Sequence, residues 1–299
     1  MKYLLLLSLL LQIYLQAEVV NITPYTGMMQ YDTDNNKSLK ESSHFGGLYI
    51  SVGTLDYLLE AAYNYTTIKY KDSNTIANLK QHDIYLKYGA YYKNFSWKLG
   101  LHAIQNSEQE IYRDLGSGYV GIVNVDGYNY FSQSKITYGF DAYYSLYTKA
   151  HNDVDRNSTQ AIAIVQVTPH LIYGQTLNSE MSNTTLLQAN LQLAKEYQKS
   201  TYFSYEIEDT LYYNSLYAMF KYMGGEMKSG VLNGGMVVYN TKDLLQDSYS
   251  LKLGYYFTPN FTMDVMFGLQ SYQEYDAVNL KLLDKGSSMS SIVSMSYSF

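Results

Sequence analysis

The end of the chain alternates between two kinds of side chain. Odd positions from 289 to 299 are mostly apolar and end on Tyr297 and Phe299, whereas even positions from 288 to 298 are serine apart from Ile292. Successive side chains of a β-strand point to opposite faces. The pattern therefore predicts a strand with one apolar face and one hydrated face.

The same alternation recurs along most of the chain. Clear examples are residues 55–66, 83–92, 95–103, 136–146, 187–193, 203–211, 216–222, 249–257 and 261–269. Residues 20–31, 45–52, 119–131 and 160–172 alternate less cleanly and are also predicted to be strands. These segments run from 7 to 13 residues, whereas strands of soluble sandwiches average about five or six. The length, and aromatic residues toward the strand ends, favour a membrane-spanning barrel over a sandwich.

The connections between these segments alternate between short and long. The short ones are 53–54, 93–94, 132–134, 214–215 and 258–260, and the long polar ones are 32–43, 71–77, 104–117, 148–158 and 275–286. In outer-membrane barrels short turns face the periplasm, long loops face outside and the strand number is even.

The strand count depends on how two stretches are interpreted. If residues 227–246 form one outer loop, the sequence predicts an all-β, transmembrane antiparallel up-and-down β-barrel of 14 strands, with 12 or 16 as alternatives. Residues 173–183 must then form a long periplasmic turn, and the connection near Lys199 a short outer loop.

Residues 1–17 have the layout of a secretory signal peptide. Lys2 precedes the apolar run 3–11, and Ala17 stands before the expected cleavage point at Glu18. The run is shorter than the roughly 20 apolar residues of a spanning helix. We therefore predict a cleaved signal at 1–17 and a barrel domain at 18–299.

The last strand also carries a family feature. Val293, Met295, Tyr297 and the terminal Phe299 resemble the assembly signal of Gram-negative outer-membrane β-barrel proteins. The resemblance implies recognition by the barrel assembly machinery and residence in the cell outer membrane, beside its lipids and lipopolysaccharide. The size and strand count look like those of diffusion porins, which implies passage of small solutes.

Composition and motifs exclude several other classes. The balance is acidic, with 27 Asp and Glu against 21 Lys and Arg, so the footprint of a nucleic-acid binder is missing. The chain has no Cys, no zinc-type histidine spacing and no catalytic or phosphate-binding motif. The fragments 32–36 and 153–157 lack the Gly and Glu of a calcium loop. We therefore expect no enzyme activity, cofactor or metal.

The alternation also assigns residues to the lumen. The predicted lumen charges are Asp56, Glu60, Asp83, Asp141, Glu206, Glu208 and Asp264, with Lys87, Lys98, Lys221 and Lys252. This acidic excess predicts mild cation preference, and pairing across the lumen is an equal alternative. The predicted function is a porin-like channel for passive diffusion of ions or small hydrophilic solutes.

Three alternative functions remain open at this stage, of which one is a barrel hydrolase with a Ser/His or Asp/His site at strand ends, where sequence spacing is uninformative. A structural or adhesive barrel would act through its outer loops, and residues 227–246 could either stand outside or fold into the lumen. A channel for hydrophobic substrates would need an apolar patch inside, which Tyr85, Tyr91, Tyr143 and Tyr256 on the inner face permit. The sequence leaves oligomeric state, gating and solute identity undetermined.

Overall fold

A computed structural model describes residues 19–32, 38–71, 78–106, 116–151, 159–194, 201–241, 243–276 and 281–299. The predicted signal peptide lies outside these ranges, as do nearly all residues of the two calcium-like fragments. The fourteen long strands, β1 to β14 in chain order, are Val19–Tyr31, Lys40–Gly53, Tyr57–Tyr70, Leu79–Tyr91, Phe95–Asn106, Gly118–Tyr130, Ser134–His151, Thr159–Thr176, Met181–Ala194, Thr201–Tyr213, Leu216–Gly225, Leu244–Thr258, Phe261–Gln273 and Gly286–Ser298.

These strands close into a barrel. Each pairs antiparallel with the next, and β14 pairs back onto β1 from Asn21 opposite Ser298 to Tyr31 opposite Ser288. Closure leaves no strand edge with unpaired backbone groups, which is what a bilayer requires. The predicted count of fourteen is confirmed, and the four weakly patterned segments are strands.

The two ends of the barrel differ. At one, called the short-turn end, the strands are joined by residues 54–56, 92–94, 131–133, 177–180, 214–215 and 259–260. The opposite end is called the loop end. The predicted long turn at 173–183 is wrong, since only 177–180 lie between strands. Polar residues 174–176 pair with 182–184, so the ladder continues where the apolar alternation stops.

The outer surface of the barrel is apolar. Exposed side chains along its middle include Leu86, Leu101, Val167, Leu191, Ile207, Leu251 and Phe267. Aromatic pairs lie near the short-turn end, with ring centroids 4.7 Å apart for Tyr92 and Phe95 and 4.7 Å apart for Tyr297 and Phe299. An apolar band with an aromatic girdle is the surface of a membrane-spanning barrel.

Two prolines lie inside strands, where proline removes a backbone donor. Between β1 and β14 the register passes from Ile22 to Tyr25 without pairing Pro24. Between β8 and β9 it likewise passes over Pro169. Each proline keeps its pairing with the strand on the other side. The barrel therefore accepts each proline by interrupting a single ladder.

Candidate functional site

The connection between β11 and β12 folds into the barrel. Residues 226–243, called the inner segment, begin after Gly225, which has a φ of 101°. Val231–Leu232 pairs with Val237–Val238 as a small hairpin, and a 3-10 turn joins the two. Val231 is only 2% exposed. The sequence allowed this stretch either to stand outside the barrel or to fold into the lumen, and the structure places it in the lumen.

An apolar cluster on one wall receives the inner segment. Val231 and Leu244 pack with buried wall residues, and Met236 and Val238 lie against the same cluster. The wall residues come from β4 to β10 and are Tyr85, Ile104, Val120, Ile122, Tyr143, Tyr147, Ile162, Ile164, Ala194 and Tyr202. Burial of this much apolar surface stabilises the seated position of the segment.

Hydrogen bonds from the wall fix the tip of the inner segment. Gln166 bonds both backbone groups of Val231, donating to its oxygen at 2.7 Å and accepting from its nitrogen at 2.9 Å. His102 Nδ1 lies 2.9 Å from the Gly235 oxygen and Lys87 Nζ 3.3 Å from the Gly234 oxygen. The buried backbone of the tip therefore has partners, as a segment inside a barrel requires.

A second set of contacts holds the inner segment at the loop end. Asn240 Nδ2 donates to Gln81 Oε1 at 3.2 Å and to the Gly116 oxygen at 2.9 Å. Asp243 forms an ion pair with Lys40, whose side chain is 3% exposed. The segment is thus attached at its tip and at its return to β12.

The inner segment leaves a large cavity along the opposite wall. This main cavity has a volume of about 1000 Å³ and is lined by β1 to β4, β10 to β14 and the inner segment. On β1 its lining runs from Asn21 near the short-turn end to Tyr31 near the loop end. The cavity therefore extends along almost the full length of the strand.

The lining of the main cavity changes along the barrel. The part nearer the short-turn end is rich in hydroxyl groups, from Thr23, Ser51, Thr262, Ser294, Ser296 and Ser298. The middle carries an apolar belt, defined as Met29, Phe45, Met219, Leu232, Met236, Met266 and Ile292. The Phe45 ring covers Gly27, where an added Cβ would lie 2.5 Å from Phe45 Cζ. The residues of the apolar belt are far apart in the sequence, and closure of the barrel brings them together.

A smaller cavity of about 220 Å³ lies beside the main one. This side cavity is lined by β4 to β11 and by residues 231–234 of the inner segment. Its charged lining residues are Lys87, Lys98, Asp126, Asp141, His170, Glu206, Glu208 and Lys221. Asp126 and His170 were not among the predicted lumen charges, although their places in the strand alternation could have identified them.

Most of the predicted lumen charges form ion pairs. Lys87 Nζ lies 3.0 Å from Glu60 Oε2, and Lys221 Nζ lies 2.8 Å from Glu206 Oε1 and 3.9 Å from Glu208 Oε2. The contacts at 3.0 and 2.8 Å have about the length of charge-assisted hydrogen bonds, and each joins neighbouring strands. The sequence predicted that these residues lie on the lumen wall but did not predict which of them form pairs.

The remaining predicted charges lie on other parts of the wall. Lys252 Nζ is 3.2 Å from Asp264 Oδ2, which also accepts from Ser294 at 2.7 Å. Lys98 Nζ is 3.9 Å from Asp126, and Asp83 accepts from Asn64 at 3.1 Å.

Asp141 and Asp56 differ from this pattern of pairing. Asp141 accepts from Asn124 at 2.8 Å and from Tyr143 at 3.0 Å. Asp56 lies exposed in the turn 54–56, before β3 begins at Tyr57, so its placement on the lumen wall is a correction. The apolar alternation of 55–66 extends past the start of the strand, which is why the sequence placed Asp56 there.

Within the described ranges no group of three or more His, Asp or Glu is arranged to hold a metal ion. Nor does any helix there have the length and apolar character needed to cross a membrane.

Comparison with known proteins gives structural matches only. No family model and no curated protein matches the chain. A deltaS2 mutant of the TodX monoaromatic hydrocarbon channel superposes with a TM-score of 0.54 at 7% identity, covering 94% of this chain and 90% of that one. The CymD monoaromatic hydrocarbon channel gives 0.50 at 9% identity, covering 96% and 90%. The chain shares the barrel fold of these channels.

A porin gives a weaker superposition. NanC matches with a TM-score of 0.48 at 11% identity, covering 92% of this chain and 98% of that one. At these identities the likeness concerns the fold alone. Function has to be argued from the lumen.

Proposed function

We propose that this protein is a channel of the Gram-negative outer membrane through which ions and small hydrophilic solutes diffuse passively. The main cavity carries the proposal, because its lining runs along β1 from Asn21 to Tyr31 beside the inner segment. A barrel of fourteen strands exceeds the eight-strand size whose interior side chains can fill completely. The TodX and CymD channels show that this fold accommodates a channel.

The orientation follows from the connections. The short-turn end faces the periplasm and the loop end faces outside, as in other outer-membrane barrels. The exposed outer face of β14 presents Met295, Tyr297 and Phe299 to lipid, and we propose that this strand is read by the assembly machinery. Outer-membrane lipids and lipopolysaccharide then contact the apolar band.

We expect weak cation preference. Paired lumen carboxylates hydrate the channel and contribute little net field, since their charge is offset by lysine. Four carboxylates against three lysines line the main cavity, which leaves a small acidic excess on the route. Transport in this proposal is diffusion and involves no covalent step.

Reconstitution into planar bilayers tests the proposal. Folded protein, recognised by heat-modifiable gel migration, should give stepwise ionic conductance, and a salt gradient should give a reversal potential on the cation side. Folded protein without conductance would refute the ion channel. A reversal potential on the anion side would refute the selectivity alone.

Two adjacent serines of β14 provide a matched test of the route. Ser290 lines the main cavity, whereas Ser291 lies on the outer face, opposite Phe267 and Met28. Ser290→Trp should lower the conductance at least twofold by filling part of the cavity. Ser291→Trp adds the same bulk toward lipid and should leave the conductance unchanged. Equal effects of the two variants would contradict the assigned route.

The apolar belt favours a second candidate function, a channel for small hydrophobic solutes. Thioether and aromatic side chains adapt to apolar molecules. Indole should then reduce ionic conductance by occupying the belt, and Met266→Gln should weaken this block at least threefold. Met28→Gln, on the outer face near the loop end, is the control. Absence of block at millimolar indole would argue for hydrophilic solutes alone.

A further inference from the structure

The side cavity contains buried acceptor groups without partners. Glu206 is 2% exposed, and its Oε2 has no hydrogen-bond partner among the described protein groups. Asn124 is also buried, and its Oδ1 likewise has none. Both residues line the side cavity. Buried polar atoms are normally hydrogen-bonded, so two in one cavity call for an explanation.

The lysines and the histidine of the same cavity lie beside acceptor groups. Lys87 is held by Glu60 and by the Gly234 oxygen, and Lys98 lies near Asp126. Lys221 pairs with Glu206 Oε1, and the contacts of His170 include Asp126 Oδ1 at 2.8 Å from Nε2. The two unpartnered buried atoms, Glu206 Oε2 and Asn124 Oδ1, are both acceptors, so a complementary ligand must bring donors.

Asp141 adds negative charge at this place. Its two oxygens accept from Asn124 Nδ2 at 2.8 Å and Tyr143 OH at 3.0 Å, and it has no ion pair in the described part of the chain. A carboxylate oxygen has more than one lone pair, so Asp141 can accept further hydrogen bonds. Asn124 donates to Asp141 through Nδ2, so its unpartnered Oδ1 lies close to the Asp141 carboxylate. A cationic donor bound at Asp141 could therefore also donate to Asn124 Oδ1.

We propose that the side cavity is a binding site for a primary alkylammonium ion. The ammonium group carries three donors and one positive charge, which suits the acceptors that this cavity offers, Asp141, Asn124 Oδ1 and Glu206 Oε2. A cavity of about 150 Å³ in another protein accommodates benzene, so about 220 Å³ has room for several heavy atoms. The aliphatic part of the ligand can contact Val231, Leu232, Ile172 and Leu186, which also line it.

This site lies beside the proposed conduction route and does not require transport. The main and side cavities share the lining residues Glu208, Lys221, Leu232 and Asn233, and we infer that ligand exchanges through the main cavity. Its test is equilibrium binding in detergent, which can succeed or fail whether or not the protein conducts ions.

Isothermal titration calorimetry on the folded full chain tests the site with n-butylammonium as the probe. Binding should be at least tenfold tighter than that of 1-butanol or butyrate, which have similar size but lack the positive charge. Equal binding of 1-butanol would show apolar partition and overturn the proposal. Absence of binding to heat-modifiable, folded protein would overturn it as well.

A pair of aspartate variants separates the site from general effects of charge. Asp141→Asn keeps the shape and removes the charge, and should weaken n-butylammonium binding at least tenfold. Asp209→Asn is the same change on an exposed residue that lines neither cavity, and should leave binding unchanged. Wild-type affinity in Asp141→Asn, or equal loss in Asp209→Asn, would contradict the assignment.

Discussion

Gly235 provides the sharpest test of how the inner segment is seated. Its φ is 101°, and an added Cβ would lie 2.3 Å from Ile122 Cδ1 and 2.9 Å from Ile122 Cγ1. Gly235→Ala therefore meets two penalties. A non-glycine residue in such a backbone conformation costs about 1–3 kcal/mol, and overpacking of a filled core costs about 1–3 kcal/mol.

Together these penalties disfavour the seated segment by about 2–6 kcal/mol. Since about 1.4 kcal/mol is a factor of ten, the unseated fraction should rise at least tenfold. Lys228 is 7% exposed in the seated segment, so its peptide bond is protected from trypsin. Cleavage after Lys228, followed by mass spectrometry on intact proteoliposomes, should accelerate at least tenfold, and the mean conductance should rise.

Strand β6, which Gly235 contacts through Ile122, also contains a glycine that serves as a matched control. Gly121 precedes Ile122, and a Cβ there would have one neighbour within 4 Å, the Tyr144 oxygen at 3.9 Å. Gly121→Ala should therefore leave cleavage and conductance unchanged. Adding Ile122→Val to Gly235→Ala should restore part of the protection, because it removes the overlapping Cδ1 and keeps most of the packing, while the backbone strain remains. Wild-type cleavage and conductance in Gly235→Ala would refute this account of the seat.

Two further outcomes are expected. Gln166→Leu removes both bonds to Val231 and leaves two buried backbone groups unpartnered, at about 1–3 kcal/mol each. Cleavage after Lys228 should therefore again accelerate. Gln175→Leu, at the short-turn end of the same strand and lining neither cavity, should not change it. Phe299→Ser should reduce the heat-modifiable, membrane-inserted fraction in cells, whereas Ser298→Ala on the inner face should not; equal insertion of Phe299→Ser and wild type would contradict the role of the terminal residue in assembly.

Local alternation predicted most of the barrel because each face of a strand meets a different environment. In β14 the outer residues are mostly apolar and exposed, and inner serines line the main cavity, so the sequence shows the split directly. Parity and loop length then gave the count of fourteen. The pattern weakens in β6 and β8 for a physical reason. Val120, Ile122, Ile162 and Ile164 are inner residues buried against the inner segment, so both faces of those strands are apolar there.

The sequence by itself determined the strands, their directions and the faces on which charges such as Glu60, Lys87 and Asp264 lie, because these follow from a local period of two. Only the tertiary structure decided that residues 226–243 enter the lumen, since their partners Gln166 and His102 lie on distant strands. It also decided which charges pair, and where the apolar belt and the two cavities form. Those features depend on side chains that meet across a closed barrel, and neighbours in space need not be neighbours in the chain.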